Sequence, residues 1–476
     1  MTTPAPHDPS WWFADAMARE VGAPAPSLIG EITVDVAIVG GGYTGLWTAL
    51  ALKARKPSLS VAVIEASLCG SGASGKNGGK IHGYWASLQS MARNLGEDGA
   101  LAVARAGTKA QDAIRAFATA PGRDVWWREA GNLRVSCAPA QDAKIAGYVD
   151  TARRLGVPDT AQPLTPAEVA HYCRSPVFRG GVFLPEGANL HPGLMARALR
   201  KAAMEAGVAV YENTPLTGLD MTHSHGAAPN RLQTPNGQVI AREVVLATNC
   251  DLANLPETRT HVSIFSSYAV MSEPAPSVLD AIGWKGEEGI SDMRMFLHYF
   301  RKTPDGRVLM GSGSGPIAFN GQTSNSRLRE DKASAWRAAR GLRRLLPPFQ
   351  DVPIARAWGG QIDVSADRLP FFKTIPGTRV HFGCGYSGHG VNPTYIGGRC
   401  LASLVLNDND MWANLPLVRR ELPKLPPEPF RTWGGRAIRR AIIACEEAEE
   451  QNHPPPPLAN AVASLPRLLG LRIGTR

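Results

Sequence analysis

Val34-Asp35-Val36-Ala37-Ile38-Val39-Gly40-Gly41-Gly42-Tyr43-Thr44-Gly45 decides the fold. The β-branched run before Gly40 reads as a buried strand, and the pattern from about Thr44 to Arg55 as an amphipathic helix. A second strand, Ser60 to Ile64, ends in Glu65, about twenty residues beyond the last glycine. Gly40 permits a tight turn, Gly42 leaves the backbone open to a pyrophosphate, and Gly45 lets helix and strand pack closely. The helix start at Tyr43 and Thr44 offers free N–H groups to phosphate. Glu65 stands where a carboxylate accepts hydrogen bonds from a ribose. Strand, helix, second strand and acid together imply a dinucleotide-binding unit rather than a glycine-rich turn that binds nothing.

A second glycine-rich stretch, Gly70-Ser71-Gly72-Ala73-Ser74-Gly75-Lys76-Asn77-Gly78-Gly79, follows directly. Its glycines and hydroxyls expose many backbone N–H groups, which suits close wrapping of a cofactor. A third, Gly383 to Gly390, precedes a helical pattern that runs to about Leu406. The N-terminus of that helix carries partial positive charge and can stabilise an anion.

In these motifs the chain resembles the D-amino-acid-oxidase-type FAD oxidoreductases, the group of glycine and sarcosine oxidases. Within it the chain is most similar to the gamma-glutamylputrescine oxidase subfamily. The matching stretches are Val39 to Leu46, Gly72 to Gly79, Trp358-Gly359-Gly360-Gln361-Ile362-Asp363, Asp367-Arg368-Leu369-Pro370 and Gly383 to Gly390. Ser10-Trp11-Trp12 and Tyr299-Phe300-Arg301 fit as well. The resemblance implies an α/β fold: a Rossmann-like FAD-binding domain with a discontinuous antiparallel-sheet substrate domain. It implies FAD contacts at Gly40, Gly42, Tyr43, Thr44, Gly45, Glu65, Ser71, Ser74, Gly75, Asn77, Gly78, Gly79 and Lys80. Further contacts fall at Thr248, Gly359, Gly385, Tyr386, Ser387, Gly388, His389, Gly390 and Thr394. The loop after Asp367 has no cysteine and the 70–79 loop no histidine, so the FAD is expected to be noncovalent.

Flavin amine oxidation asks little of side chains beyond placement, electrostatics and a route for the amine proton. The resemblance sets His82, Tyr84, Tyr268, His298 and Tyr299 beside the expected flavin face as proton-handling or substrate-facing candidates. Each also reads as an ordinary structural residue. Arg294 and Arg301 suit a substrate carboxylate or phosphonate, because a guanidinium fork matches those anions. Arg301 counts among both the catalytic and the substrate-binding candidates, and Arg294 and Tyr84 among the latter. Asp363 and the pair Asp367-Arg368 read as structural. Lys80, where the subfamily often has Gln, either stabilises reduced flavin or is solvated.

The 476-residue chain is 44% hydrophobic and 19% charged, with a formal charge of +10. That composition is globular. No apolar run approaches the ~18 residues of a membrane span. The Met1-Thr2-Thr3-Pro4-Ala5-Pro6 opening has no basic or apolar secretory region, and the cysteines show no metal or C-x-x-C spacing. A reducing cytoplasmic location follows as the expectation. The basic residues are dispersed; Arg337, Arg340, Arg343 and Arg344 read as a solvated helix face, and no nucleic-acid motif accompanies them.

The expected organisation is an N-terminal arm at 1–30 and an FAD-binding domain at 31–92, 189–255 and 352–410. The substrate domain takes 93–188 and 256–351, and a helical tail takes 411–476. The tail's apolar stripe, Ile438, Ala441, Ile442, Cys445 and Ala448, docks on the chain's own body or on a second subunit of a homo-oligomer. The tail's basic end comes first and its acidic end last, against the helix macrodipole. The leading functional reading is oxidation of a primary or secondary amine or amino acid by hydride transfer to flavin, followed by imine hydrolysis. Oxygen or another acceptor then takes the electrons. Competing readings are a gamma-glutamylputrescine-type oxidase, a dehydrogenase using a non-oxygen acceptor, an NAD-linked enzyme and a non-catalytic flavin protein.

Overall fold

The computed structural model describes residues 9–22, 24–221 and 229–468. The opening Met1–Pro6 stretch lies outside them. Among the described residues, one eight-stranded sheet carries the dinucleotide unit. Its centre is Gly30–Val39, paired in parallel with Val61–Ile64 on one side and with Gly237–Leu246 on the other. Ala209–Tyr211 extends it beyond Val61–Ile64. The strand Gly237–Leu246 divides its outer edge. Its first half pairs antiparallel with Asn230–Thr234, and Val244–Leu246 pairs in parallel with Val380–Cys384. Val36, Ile38, Val61 and Val63 of this sheet pack under helices, whereas Ala37, Val39 and Ile64 pack on the other face with Leu252, Val262 and Ile264. Both faces are buried, so these strands are runs of Val, Ile and Ala.

A second eight-stranded sheet is built mainly of antiparallel pairs, the long ribbon of Val262–Ser272 against Ile354–Ser365 being the largest. One parallel pair, Asn132–Ser136 with Gly289–Asp292, interrupts the pattern. The strand Ile354–Ser365 therefore belongs to this sheet and not to the dinucleotide unit, which moves the boundary expected at 352. The helix Leu88–Ala118, expected on the substrate side, packs against Val391–Leu406 of the dinucleotide side and bends at Gly96. Arg294 sits in the turn that precedes the strand His298–Lys302.

The expected arm holds a helix, Trp11–Arg19, capped by Ser10, whose Oγ accepts from Phe13 N at 3.1 Å. Trp12 is fully buried, and Glu20 and Glu212 bind Arg197 in a buried ionic cluster. Among the described residues the tail holds a short helix, Pro416–Arg419, and two longer ones, Phe430–Glu450 and Pro457–Leu468, the last two separated by the prolines 454–456. The helix Lys332–Leu345 does not present a solvated arginine face. Arg340 binds Glu447, Arg344 binds Glu450 at 3.3 Å, and Arg337 bonds to Ser314. No helix among the described residues is long and apolar enough to cross a membrane. No group of His, Cys, Asp and Glu among them is arranged to hold a metal ion.

Candidate active site

Gly40 ends the central strand with φ +109, and a Cβ there would lie 2.6 Å from the carbonyl oxygen of Ala247. Gly42 caps the helix Tyr43–Arg55 without a side chain, so the first-turn N–H groups face a cavity. Gly45 is not part of the cavity wall. A Cβ there would sit 2.0 Å from the carbonyl oxygen of Gly40, so its role is the close crossing of helix and turn. Glu65 accepts from Gly41 N at 2.7 Å and from Ser67 N at 2.9 Å, which holds its carboxylate beside the turn. Burial pushes its pKa upward against those two hydrogen bonds.

The cavity has a volume of about 1130 Å³ and runs between the two sheets. The 70–79 loop forms one wall through Ser71, Ser74, Asn77 and Gly78. Ser74 Oγ accepts from Tyr43 N at 2.9 Å, and Asn77 closes the loop by accepting from Gly79 N at 2.7 Å. Gly75 and Gly79, expected at the cofactor, face inward instead. Side chains there would collide with the carbonyl oxygens of Gly70 and Leu190. Thr248 lines the opposite wall beside Asn249, whose buried Oδ1 has no hydrogen-bond partner among the described residues.

The 383–390 turn forms a further wall with Tyr386, Ser387, Gly388, His389, Gly390 and, in the following helix, Thr394. Tyr386 OH and Thr44 Oγ1 are 2.7 Å apart and tie this turn to the fingerprint helix. Gly385 lies behind the wall, where its N–H donates to Asp363. Burial raises the Asp363 carboxyl to about 7, with that bond opposing the shift. Gly359 is also behind the wall, against Tyr268 and the backbone of Arg329; its neighbour Gly360 faces the cavity.

Of the chemical candidates, His82, Tyr299 and Lys80 reach the cavity. His82 and His389 meet edge to face with ring centroids 5.5 Å apart. Burial lowers the His82 pKa to about 4 and pushes His389 well below its ordinary value, so both imidazoles are uncharged at neutral pH. Lys80 is fixed by Ile290 O at 2.9 Å and Ser291 Oγ at 2.7 Å, and burial depresses its pKa. Tyr299 OH lies 3.1 Å from Ser267 Oγ.

Tyr84, Tyr268, His298, Arg294 and Arg301 are not brought into the cavity. Tyr84 is buried away from the wall. Tyr268 OH donates to Arg327 O at 2.7 Å and accepts from Asp331 N at 2.8 Å. His298 bonds to Asp292 at 2.8 Å. Arg301 donates to Leu190 O at 2.7 Å and lies over the Trp12 ring. Arg294 pairs with Glu446 at 3.2 Å and Glu450 at 2.6 Å, both on the tail. These pairs also explain how the tail helix tolerates its reversed charge order. Its C-terminal carboxylates face arginines of the body rather than depending on the macrodipole.

Two features at the cavity were missed by reasoning from sequence. Arg134 and Arg368 both line it. The adjacency of Asp367 and Arg368 suggested a pair, yet Asp367 binds Arg420 at 2.9 Å and leaves Arg368 to the cavity. The tail is the second feature. Phe430, Ile438, Ile442, Val462 and Leu465 form a roof over the cavity. The apolar stripe at Ile438 and Ile442 was the available signal, but a stripe does not reveal which surface it covers.

The residues fit a flavin dinucleotide. Gly42, Tyr43 and Thr44 bring the start of the fingerprint helix to the cavity wall, and Asn249 Oδ1 at the same cavity has no hydrogen-bond partner among the described residues. The sequence model of the DAO family, described as FAD dependent oxidoreductase, matches residues 35–404. The gamma-glutamylputrescine oxidoreductase of Escherichia coli (strain K12) is 28% identical over 418 residues, covering 86% of this chain and 92% of that one. The sarcosine oxidase subunit beta of an Arthrobacter species is 25% identical over 400 residues, covering 80% and 89%. The crystal structure of glycine oxidase from Geobacillus kaustophilus superposes with a TM-score of 0.68 at 21% identity, covering 82% of this chain and 100% of that one. The tail roof lies beyond the last residue of the family match, although it encloses the same cavity. The chain belongs to the DAO family of FAD-dependent oxidoreductases.

Proposed function

We propose that this enzyme oxidises a C–N bond of a small primary or secondary amine or amino acid to an imine, which water hydrolyses to a carbonyl compound. The observation that carries the reading is the pair His82 and His389, held uncharged in the cavity that the dinucleotide fingerprint opens into. An ammonium substrate must lose a proton before its α-hydride can leave. Uncharged imidazoles put no positive charge in the way of the ammonium; with pKa values this low they accept a hydrogen bond from the amine rather than its proton, which leaves to water. Bound FAD supplies the hydride acceptor. The turn at 383–390 and Asp363 fix the wall on which the substrate is oriented, and the tail helices limit access of water. The names of the relatives, which include oxidoreductases of gamma-glutamylputrescine, sarcosine and glycine, support an amine as the substrate class.

The test is product identity. A single anaerobic turnover on an amine substrate should release an aldehyde or keto compound that a hydrazine traps in proportion to enzyme. Carbonyl formation from alcohols or 2-hydroxy acids, with amines inert, contradicts the proposal.

A further inference from the structure

The last tail helix carries its side chains the wrong way round for simple packing. In Pro457–Leu468, Ala463 is fully buried in a cluster with Ala441, Ile442 and Cys445 of Phe430–Glu450, whereas Leu458 and Leu468 are 80% and 74% exposed. At about 100° per residue, Leu458, Ala461, Leu465 and Leu468 fall on one side of the helix, and all of them are exposed. Packing alone favours burying the larger apolar side chain, because the gain scales with the area removed from water. The first half of Phe430–Glu450 repeats the pattern. Phe430, Trp433, Ala437 and Arg440 recur at helical spacing and are exposed. Arg436 lies over the Trp433 ring, 5.8 Å from its centroid. Phe430 and Leu465 also line the cavity, so the two exposed faces meet at its edge. A single exposed leucine is ordinary, but large apolar side chains gathered on two adjoining helices mark a contact surface.

The charge around this surface has one sign. From Gln451 to Arg476 the sequence has Arg467, Arg472 and Arg476 and no Asp or Glu, in a chain of formal charge +10. The acidic end of Phe430–Glu450 does not offset it, because Glu446, Glu447 and Glu450 are bound to Arg294, Arg340 and Arg344. Apolar residues continue in the sequence beyond Leu468, with Leu469, Leu471 and Ile473. Leucine and aromatic side chains among arginines suit the boundary between lipid headgroups and acyl chains, where the apolar groups enter and the cations meet anionic lipid. A second copy docked face to face by two-fold symmetry would instead bring two like-charged surfaces together.

We propose that the outer faces of the two tail helices dock on an anionic lipid surface, with the edge of the cofactor cavity turned toward the membrane. The enzyme lies on the bilayer and does not span it, since no helix among the described residues is long and apolar enough to cross. The family match ends at residue 404, so this surface lies outside it. The docking is independent of which compound the enzyme oxidises.

The experiment is sedimentation of the holoenzyme with vesicles of phosphatidylcholine alone and of phosphatidylcholine mixed with phosphatidylglycerol. The protein should pellet with the anionic vesicles, about ten-fold or more tightly than with the neutral ones, and raised salt should release it. Leu458→Ser and Leu468→Ser should each weaken that binding by about ten-fold, the scale of leaving a leucine in water. Arg440→Gln and Arg467→Gln should each weaken it by about five-fold. FAD content and urea resistance should be unchanged in all of these variants, because the substituted side chains are exposed. Holoenzyme that stays in the supernatant with both vesicles overturns the proposal. Pelleting that is equal for both vesicles, or unchanged by every substitution, also overturns it. Two results in the absence of vesicle binding overturn it and name another occupant. A dimer that Leu458→Ser dissociates assigns the face to a second copy of the chain. Retention on polyglutamate that Arg440→Gln and Arg467→Gln abolish assigns it to an acidic protein.

Discussion

Replacing Arg294 with Gln should destabilise the protein without touching substrate recognition. The Arg294 side chain is 5% exposed, and its partners Glu446 and Glu450 are 4% and 7% exposed. The substitution removes the charge that neutralises two buried carboxylates. Removing one member of a buried pair costs about 3–5 kcal/mol, because the remaining charge is left without compensation. The lower end applies here, since Glu450 keeps Arg344 at 3.3 Å and Glu446 keeps Met295 N at 2.6 Å. With a urea slope of about 3 kcal/mol per molar, the first unfolding transition should move down by about 1 M. The assay is urea denaturation of the holoenzyme followed by tryptophan fluorescence, with KM measured at low urea. The loss should begin at the roof, because Arg294 is the clamp between the body and the tail helix. Unchanged urea resistance with a raised KM would return Arg294 to the substrate.

Gly42→Leu should abolish FAD retention, measured as the ratio of visible to ultraviolet absorbance, because a side chain at the helix start fills the space facing the open N–H groups. Acid precipitation of the wild type should leave all yellow colour in the supernatant; no cysteine among the described residues lines the cavity, and colour in the pellet contradicts noncovalent attachment. Burial lowers the His82 pKa to about 4, so its base form is present above that value and is lost as pH falls through it. The kcat profile should therefore show no imidazole ionisation between pH 5 and 8. A step near the ordinary histidine value that disappears in His82→Asn contradicts the assignment of a neutral His82.

The dinucleotide unit was legible because its physics is local. The spacing of Gly40, Gly42 and Gly45 encodes a turn, an open helix start and a close crossing within a few residues, and Glu65 follows at the end of the next strand. The helix that Ser10 caps was not read from the sequence, where residues 1–30 are an arm, and the burial of Trp12 beneath Arg301 depends on contacts distant in sequence. Arginine roles were the least legible. Arg294, Arg301 and Arg368 are chemically identical in the sequence, and only the fold assigns Glu446 to the first, a backbone carbonyl to the second and an open cavity to the third. The tail shows the same limit. Its helix and stripe were readable, whereas the surface it covers is set by Met295 and Phe296 in a turn far upstream.

On the proposed reading, a flavin held by the 40–45 and 70–79 segments takes a hydride from an amine in the cavity beneath the tail. Anaerobic titration of the purified protein with a panel of amines, amino acids, alcohols and 2-hydroxy acids tests it most directly, with the visible flavin band as the readout. The band should bleach with at least one amine or amino acid, and alcohols and 2-hydroxy acids should leave the spectrum unchanged. Bleaching by an alcohol or a 2-hydroxy acid while every amine leaves the band intact would contradict it.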